Sequence, residues 1–122
     1  MKVLLVFIGG GAGSALRYLI GLGLNHNDYL APKGTFLVNV LGSLLIGLLA
    51  GYNLRTMHIN HEFQALLIAG FLGGFTTFSS FAFENTVMLQ NGKVMLFALY
   101  LSGTIIAGLM AAGLGYHLSR YL

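Results

Sequence analysis

The longest apolar segment of the chain has GGFTTFSSF at its centre, as residues 73–81. Adjacent glycines destabilise a helix through their backbone entropy, and hydroxyl side chains compete for its backbone hydrogen bonds. Two glycines and four hydroxyl residues in so short a stretch therefore predict a helix that is interrupted here. An interruption frees backbone amides and carbonyls, which is one way of building an ion site in an apolar helix.

The composition predicts that lipid is the solvent of this chain. Apolar residues make up 57% of it and charged residues 7%, whereas soluble domains carry about 25% charged residues. Six basic and three acidic side chains are too few to cover a water-facing surface. They form no basic cluster, so nucleic-acid binding is excluded. Since cysteine is absent, disulfides and thiolate metal sites are excluded too.

Four segments are long enough to cross a bilayer, which needs roughly 20 mostly apolar residues. They run over residues 3–24, 34–52, 62–89 and 94–117. The first is read as a retained helix, because it is rich in glycine, contains Arg17 and lacks a clear cleavage site. We therefore expect an all-α membrane protein in which residues 1–122 form a single four-helix domain, with the third helix broken at the midplane.

The basic residues do not favour one orientation. Lys2, Arg55 and Arg120 fall on one side, and Lys33 and Lys93 on the other, with Arg17 near that second side. Because the positive-inside rule then gives no preference, the chain could insert both ways and form an antiparallel dimer with two-fold symmetry in the membrane plane. A fixed orientation with a weak bias stays open. Four helices enclose little volume, so we expect an oligomer.

Small residues recur at four-residue spacing, which lets helix backbones approach closely in lipid. Three segments show such rows: Gly9, Gly13 and Gly21; Thr35, Asn39, Ser43, Gly47 and Gly51; and Gly103, Ala107, Ala111 and Gly115. Packing alone explains the last row. The second row also carries polar side chains, which favours a further role.

Two polar residues of the first two segments are candidates for an ion path. Arg17 either faces a vestibule, where it would attract anions, or extends to the lipid headgroups. Asn39 lies well inside the second segment and offers two amide donors. It is either a pore-lining donor or a partner in a helix-to-helix hydrogen bond. Enzyme motifs are absent, so no catalytic residue is predicted.

The third segment carries the aromatic candidates. Phe78 and Phe81 share a helical face if the helix resumes after the interruption. Such pairs usually contact lipid or core, but these alternate with hydroxyl residues, and aromatic ring edges carry partial positive charge. Together they could coordinate an anion without a full positive charge. Glu84 is either a hydrogen-bond anchor to the interruption or an acid near the end of the span.

The chain resembles the Fluc (CrcB) fluoride channels over almost its whole length. The residues that carry the resemblance are GGGAGSALRY at 9–18, GTFLVNVLGS at 34–43 and GGFTTFSSF at 73–81, the last being the most specific. The resemblance implies an antiparallel, dual-topology homodimer with two fluoride pores in the bacterial plasma (inner) membrane. It also implies passive export of fluoride that has entered as hydrogen fluoride.

The same resemblance implies roles for individual residues. The family's vestibule arginine matches Arg17, and its pore asparagine matches Asn39. Its pore phenylalanines match Phe78 and Phe81. Its hydroxyl track matches Ser79 and Ser80, with Thr77 as a further candidate. Its central structural sodium ion is held by backbone carbonyls of both subunits, which match Gly73 and Thr76. We expect threonine at position 80 in many relatives, and Ser80 keeps that hydroxyl.

Two other functions fit a four-span chain of this size. A small multidrug exporter, also a dual-topology dimer, requires a membrane-embedded acid, expected in the first helix, where this chain has Arg17 instead. A non-transporting membrane scaffold would explain the rows of small residues but not the polar interruption near Asn39. Absence of anion flux from folded protein would favour either of them.

Overall fold

A computed structural model describes residues 1–25, 28–56 and 60–122. The remaining residues, 26–27 and 57–59, belong to the first two predicted linkers and lie outside the described residues. All regular structure within those described ranges is helical. The α-helices are α1 (Lys2–Asn25), α2 (Lys33–Thr56), α3 (His61–Phe63), α4 (Gly73–Phe75), α5 (Phe78–Gln90) and α6 (Val94–Leu118).

These helices form four stretches that are long and apolar enough to cross a membrane, as predicted. The third stretch, His61–Gln90, is composite. Within it α3 continues into a π-helix, Gln64–Leu72, and then into α4, and α5 follows after a gap. The long π-helix was not predicted, because its residues have the apolar character of an ordinary spanning helix.

The turn between α5 and α6 is fixed by the local sequence. Gly92 has φ of +67°, a conformation that glycine adopts without the steric penalty of a Cβ. The Gly92 amide donates to the Leu89 carbonyl at 3.0 Å, and the Lys93 amide donates to the Met88 carbonyl at 2.9 Å. This pair of bonds is the Schellman motif that ends helices at glycine, and it turns the chain back as the antiparallel helix α6.

The close approaches of the helices are made by glycines, as their spacing predicts. A Cβ added at Gly9 or Gly13 of α1 would meet the carbonyl oxygens of Leu66 and Phe71 in the π-helix, respectively. The carbonyl oxygen of Gly10 likewise abuts Gly74. We call the meeting of α1 with the π-helix and α4 the glycine interface.

A similar contact joins α2 to α6. A Cβ at Gly47 would meet the Ala112 carbonyl oxygen, and one at Gly115 would meet the Leu44 carbonyl oxygen. The two predicted rows therefore do face each other here. Within the described residues of a single chain, no such approach is seen at Gly21 or Gly103, where an added Cβ would have open space around it.

The interior of the chain is small and its outer surface is apolar. The buried hydrophobic side chains are Val38, Leu72, Phe75, Phe81 and Met88. Large apolar side chains along all four spans are exposed instead. A surface of this kind needs lipid or another protein to cover it.

Candidate functional site

The third span is interrupted at Thr76 and Thr77, as the sequence predicted. Thr76 has ψ of 158°, and Thr77 has φ of −148° and ψ of 120°, so both are extended. Helix α5 then begins at Phe78, where the Thr77 hydroxyl accepts a hydrogen bond from the Ser80 amide at 3.2 Å. A threonine in this position is a good N-cap, so the residue that breaks the span also starts the next helix.

Asn39 of α2 bonds to the interrupted backbone through both ends of its amide. Its Nδ2 donates to the Thr77 carbonyl at 3.0 Å, and its Oδ1 accepts from the Thr77 amide at 2.8 Å. The helix-to-helix hydrogen bond that the sequence allowed is therefore present. Since Nδ2 carries two hydrogens, one amide hydrogen stays available to another acceptor.

This pairing changes the bonding of the carbonyls before the interruption. In a continuous helix the Thr77 amide would donate to the Gly73 carbonyl, but here it donates to Asn39. Thr76 keeps its own bonds to Leu72, whose carbonyl accepts from the Thr76 amide at 3.0 Å and from its hydroxyl at 2.9 Å. The Gly73 carbonyl thus loses its regular helical donor.

Arg17 reaches the interruption from α1. Its Nη1 lies 3.4 Å from the Thr76 carbonyl oxygen, a long hydrogen bond, and its side chain is half-buried. The nearby Ser14 hydroxyl donates to the Gly74 carbonyl, also at 3.4 Å. Of the two roles that the sequence left open for Arg17, this position corresponds to the inward-facing one.

A cavity of about 340 Å³ lies where these residues meet. We call it the polar cavity. Its polar and charged lining residues are Ser14, Arg17, Tyr18, Asp28, Tyr29, Thr35, Thr77, Ser80 and Glu84. Of the lining residues that the structure describes, Arg17 alone is cationic.

Glu84 is the most buried charged residue at this site, with 4% of its surface exposed. The Thr35 hydroxyl donates to its Oε1 at 2.6 Å, and the Tyr100 hydroxyl donates to its Oε2 at 2.8 Å. Glu84 is therefore a hydrogen-bond anchor, but these partners lie on α2 and α6 rather than at the interruption, where the prediction placed them. Tyr100 was not predicted, because nothing in the local pattern of α6 distinguishes it from an aromatic residue that faces lipid.

The hydroxyl residues form one cluster at the start of α5. The Thr77 hydroxyl donates to Ser80 Oγ at 3.1 Å and lies 3.3 Å from Ser79 Oγ. Thr77 is buried, Ser80 is half-buried and Ser79 is exposed. The three residues thus extend from the interior of the chain to its surface.

Phe78 and Phe81 lie together, as their spacing predicts, with ring centroids 6.0 Å apart. Their surroundings differ, because Phe81 is 7% exposed and Phe78 is 78% exposed. Both line a wide groove of about 790 Å³, which we call the open groove. Asn39, Gly73 and Thr76 line it too, and Thr77 lines both this groove and the polar cavity.

Each predicted site residue therefore belongs to one connected region around the interruption. Arg17 and Ser80 line the polar cavity, whereas Asn39, Phe78, Phe81, Gly73 and Thr76 line the open groove. Ser79 contacts Thr77, which lies between the two. Within the described residues, no group of three or more His, Cys, Asp and Glu side chains could hold a metal ion.

Comparisons with a family profile and with individual proteins match nearly the whole chain and indicate the same family. The sequence profile described as CrcB-like protein, Camphor Resistance (CrcB), matches residues 4–116. The fluoride-specific ion channel FluC of Prosthecochloris aestuarii is 43% identical over 118 residues, covering 97% of this chain and 92% of the relative. That of Gloeothece citriformis is 43% identical over 121 residues, covering 98% of both chains.

A third relative, from Methylobacillus flagellatus, has the same name and is 43% identical over 121 residues, covering 98% of this chain and 94% of the relative. Similarity of this degree extends over all four spans and over the interruption. The chain belongs to the CrcB-like family, in which these relatives bear the name fluoride-specific ion channel FluC.

Proposed function

We propose that this protein is a fluoride-selective passive channel that lets fluoride leave the bacterial cytoplasm across the plasma membrane. The observation that carries the proposal is the interruption at Thr76–Thr77, because it places donors beside two cavities in a chain whose relatives are named fluoride channels. Fluoride is small and strongly hydrated, so a path for it must replace water with several close donors.

The lining of the two cavities supplies groups that could attract such an anion, replace its water and then release it. Arg17 supplies positive potential in the polar cavity, where it would raise the local anion concentration. The hydroxyls of Ser79 and Ser80 and the second amide hydrogen of Asn39 supply neutral donors near the interruption. The ring edges of Phe78 and Phe81 supply weak positive potential in the open groove. None of the groups after Arg17 carries a full positive charge, which favours release of the ion.

A complete pore requires a second copy of the chain. Phe78 is largely exposed and the open groove lacks a cover, so another subunit would have to enclose this side of the path. We infer an antiparallel homodimer in which both orientations are inserted, because the basic residues favour neither side. The absence of cysteine allows a direct test. In a Lys93→Cys variant, a membrane-impermeant maleimide added to intact cells should label about half of the protein, because about half of the chains would present residue 93 on the outer side.

A sodium ion at the interruption would stabilise the dimer. The Gly73 and Thr76 carbonyls are suited to it, because the former lacks its helical donor and the latter has only a long bond to Arg17. Oxygen ligands suit hard cations. The ion would fix these carbonyls and offset the charge of a nearby anion. Replacing sodium by N-methylglucamine should lower the thermal stability of the purified dimer.

The exporter alternative is less well supported. The first span holds no acidic residue. Glu84 has both carboxylate oxygens engaged by hydroxyls, so it is held as a structural anchor.

The direct test of the proposal is ion efflux from liposomes that contain the purified protein. Fluoride release is measured with a fluoride electrode, and chloride release is measured in parallel. We expect rapid fluoride release and negligible chloride release. Absence of fluoride release from folded dimers would overturn the proposal.

A further inference from the structure

A second groove lies away from the interruption, at the end of the molecule where α2 and α6 begin. It has a volume of about 530 Å³ and includes residues of α1, α2, α5 and α6. Its lining is apolar except at two positions: Leu24, Leu30, Ala31, Pro32, Lys33, Phe36, Leu37, Met88, Leu96 and Tyr100. We call it the lateral groove.

The two polar residues of the lateral groove differ in their availability. The Tyr100 hydroxyl is used by Glu84. Lys33 is exposed, and no carboxylate of the described chain pairs with its ammonium group. Asp28 and Lys33, which flank the short segment before α2, line different cavities. Asp28 lines the polar cavity and Lys33 lines the lateral groove.

The lining of the lateral groove matches an amphiphilic molecule, which has one charged end and one apolar end. Lys33 begins a spanning helix, so its ammonium lies at the level of the lipid headgroups. The other lining residues extend from there toward the interior of the span, through the first turn of α2 and the last turn of α5. Lys33 therefore adds one positive charge to a lining that otherwise suits a hydrocarbon chain.

We propose that the lateral groove binds one anionic phospholipid, with its phosphate at Lys33 and one acyl chain along the apolar lining. Basic residues beside grooves between spanning helices favour anionic headgroups. A second copy of the chain is the less suitable occupant, because burying the Lys33 ammonium in a protein interface costs free energy unless a carboxylate pairs with it. This inference does not depend on which ion the protein conducts.

The test compares lipid binding to purified protein by native mass spectrometry, with dioleoylphosphatidylglycerol and dioleoylphosphatidylcholine as probes. The key variant is Lys33→Gln. The matched control is Lys93→Gln, which removes an equal charge from an exposed residue at the same end of the molecule but outside the groove. We expect Lys33→Gln to weaken phosphatidylglycerol binding about fivefold, since one lysine contributes about 1 kcal/mol near an anionic surface.

A second variant separates the groove from the charge. Ala31→Leu keeps Lys33 but adds volume to the lining, so it should weaken the binding of both lipids. Equal losses for Lys33→Gln and Lys93→Gln would overturn the proposal, because binding would then reflect net charge alone. Loss of the dimer in Lys33→Gln, detected by its mass in the same spectra, would also overturn it, since the groove would then be a protein interface.

Discussion

The two halves of the third span are held in different ways. Residues 61–75, before the interruption, meet α1 through backbone, because Gly9, Gly13 and Gly74 bring α1 into contact with carbonyl oxygens. Helix α5, after the interruption, is held by side chains, as in the bonds of Glu84 to Thr35 and Tyr100. The contact of the first half with α1 therefore requires glycines, whereas the second half requires particular polar side chains. We interpret the first half as structural support and the second half as the part that can bind an ion.

The largest effect should come from adding a side chain to the glycine interface. Gly13→Val would place atoms against the Phe71 carbonyl and the Phe75 amide. Overpacking of this kind costs about 1–3 kcal/mol or more, and here backbone would have to move. We expect a severe loss of folded, monodisperse protein in size-exclusion chromatography. Gly21→Val is the control, since that position has open space. Equal yields for the two variants would contradict the importance of the interface.

The second effect concerns the bond between Asn39 and the interruption. In Asn39→Asp the side chain still accepts from the Thr77 amide, but it can no longer donate to the Thr77 carbonyl, and it adds negative charge beside the anion path. We expect fluoride efflux to fall about 10- to 100-fold, which corresponds to about 1–3 kcal/mol for an unsatisfied buried group.

Asn91→Asp is the matched control for that change. Asn91 also donates through Nδ2 to a backbone carbonyl, that of Val87 at 2.8 Å, but it is exposed in the turn after α5. Its substitution should leave efflux unchanged. Normal efflux in Asn39→Asp would show that the interruption does not depend on this side chain.

The aromatic pair should give a smaller effect. Phe78→Ile and Phe81→Ile each remove one ring edge from the open groove. We expect fluoride efflux to fall about two- to tenfold in each, as edge interactions contribute about 0.5–1.5 kcal/mol, while the dimer persists. Phe83→Ile removes a ring from the same helix outside the groove and should have no effect. Unchanged efflux in both groove variants would exclude the aromatic role.

The smallest effect should come from Asp28 in the polar cavity. Its Oδ1 accepts from the Leu30 amide at 2.9 Å, a bond that the side-chain amide oxygen would keep in Asp28→Asn. Removing the charge should raise fluoride efflux about twofold at low salt, since exposed charges contribute up to about 1 kcal/mol. The difference should vanish at high salt. Glu62→Gln, which removes an exposed charge outside the cavity, should not change efflux. A salt-independent increase would argue against an electrostatic cause.

The sequence predicted the features that depend on local chemistry. The four spans, an interruption within residues 73–81 and the adjacency of Phe78 and Phe81 all follow from composition and spacing. The predicted close approach at Gly9 and Gly13 is confirmed for the same reason. The exact position of the interruption was not predicted, because Gly73 and Gly74 stay helical and the interruption lies at Thr76 and Thr77.

The features that depend on distant partners could not be predicted. Tyr100 bonds to a residue 16 positions away and Thr35 to one 49 positions away, and no local pattern encodes such pairs. The two bonds of Asn39 depend on the extended backbone of Thr77, which bonds to α2 across 38 positions. The difference in exposure between Phe78 and Phe81 arises from packing against α6, where Phe81 meets Tyr100.

The glycine interface also has a consequence for the gene. Every missense change in a glycine codon adds at least one carbon atom, so no amino acid is a conservative replacement where that carbon would meet a backbone oxygen. Gly9, Gly13 and Gly74 are such positions, whereas Gly11, Gly21 and Gly113 have free space around them. In a library of all single variants, the first group should lose every substitution and the second should tolerate most small ones. Two sets of glycine codons, interleaved along the gene, would thus differ sharply in the substitutions that they tolerate.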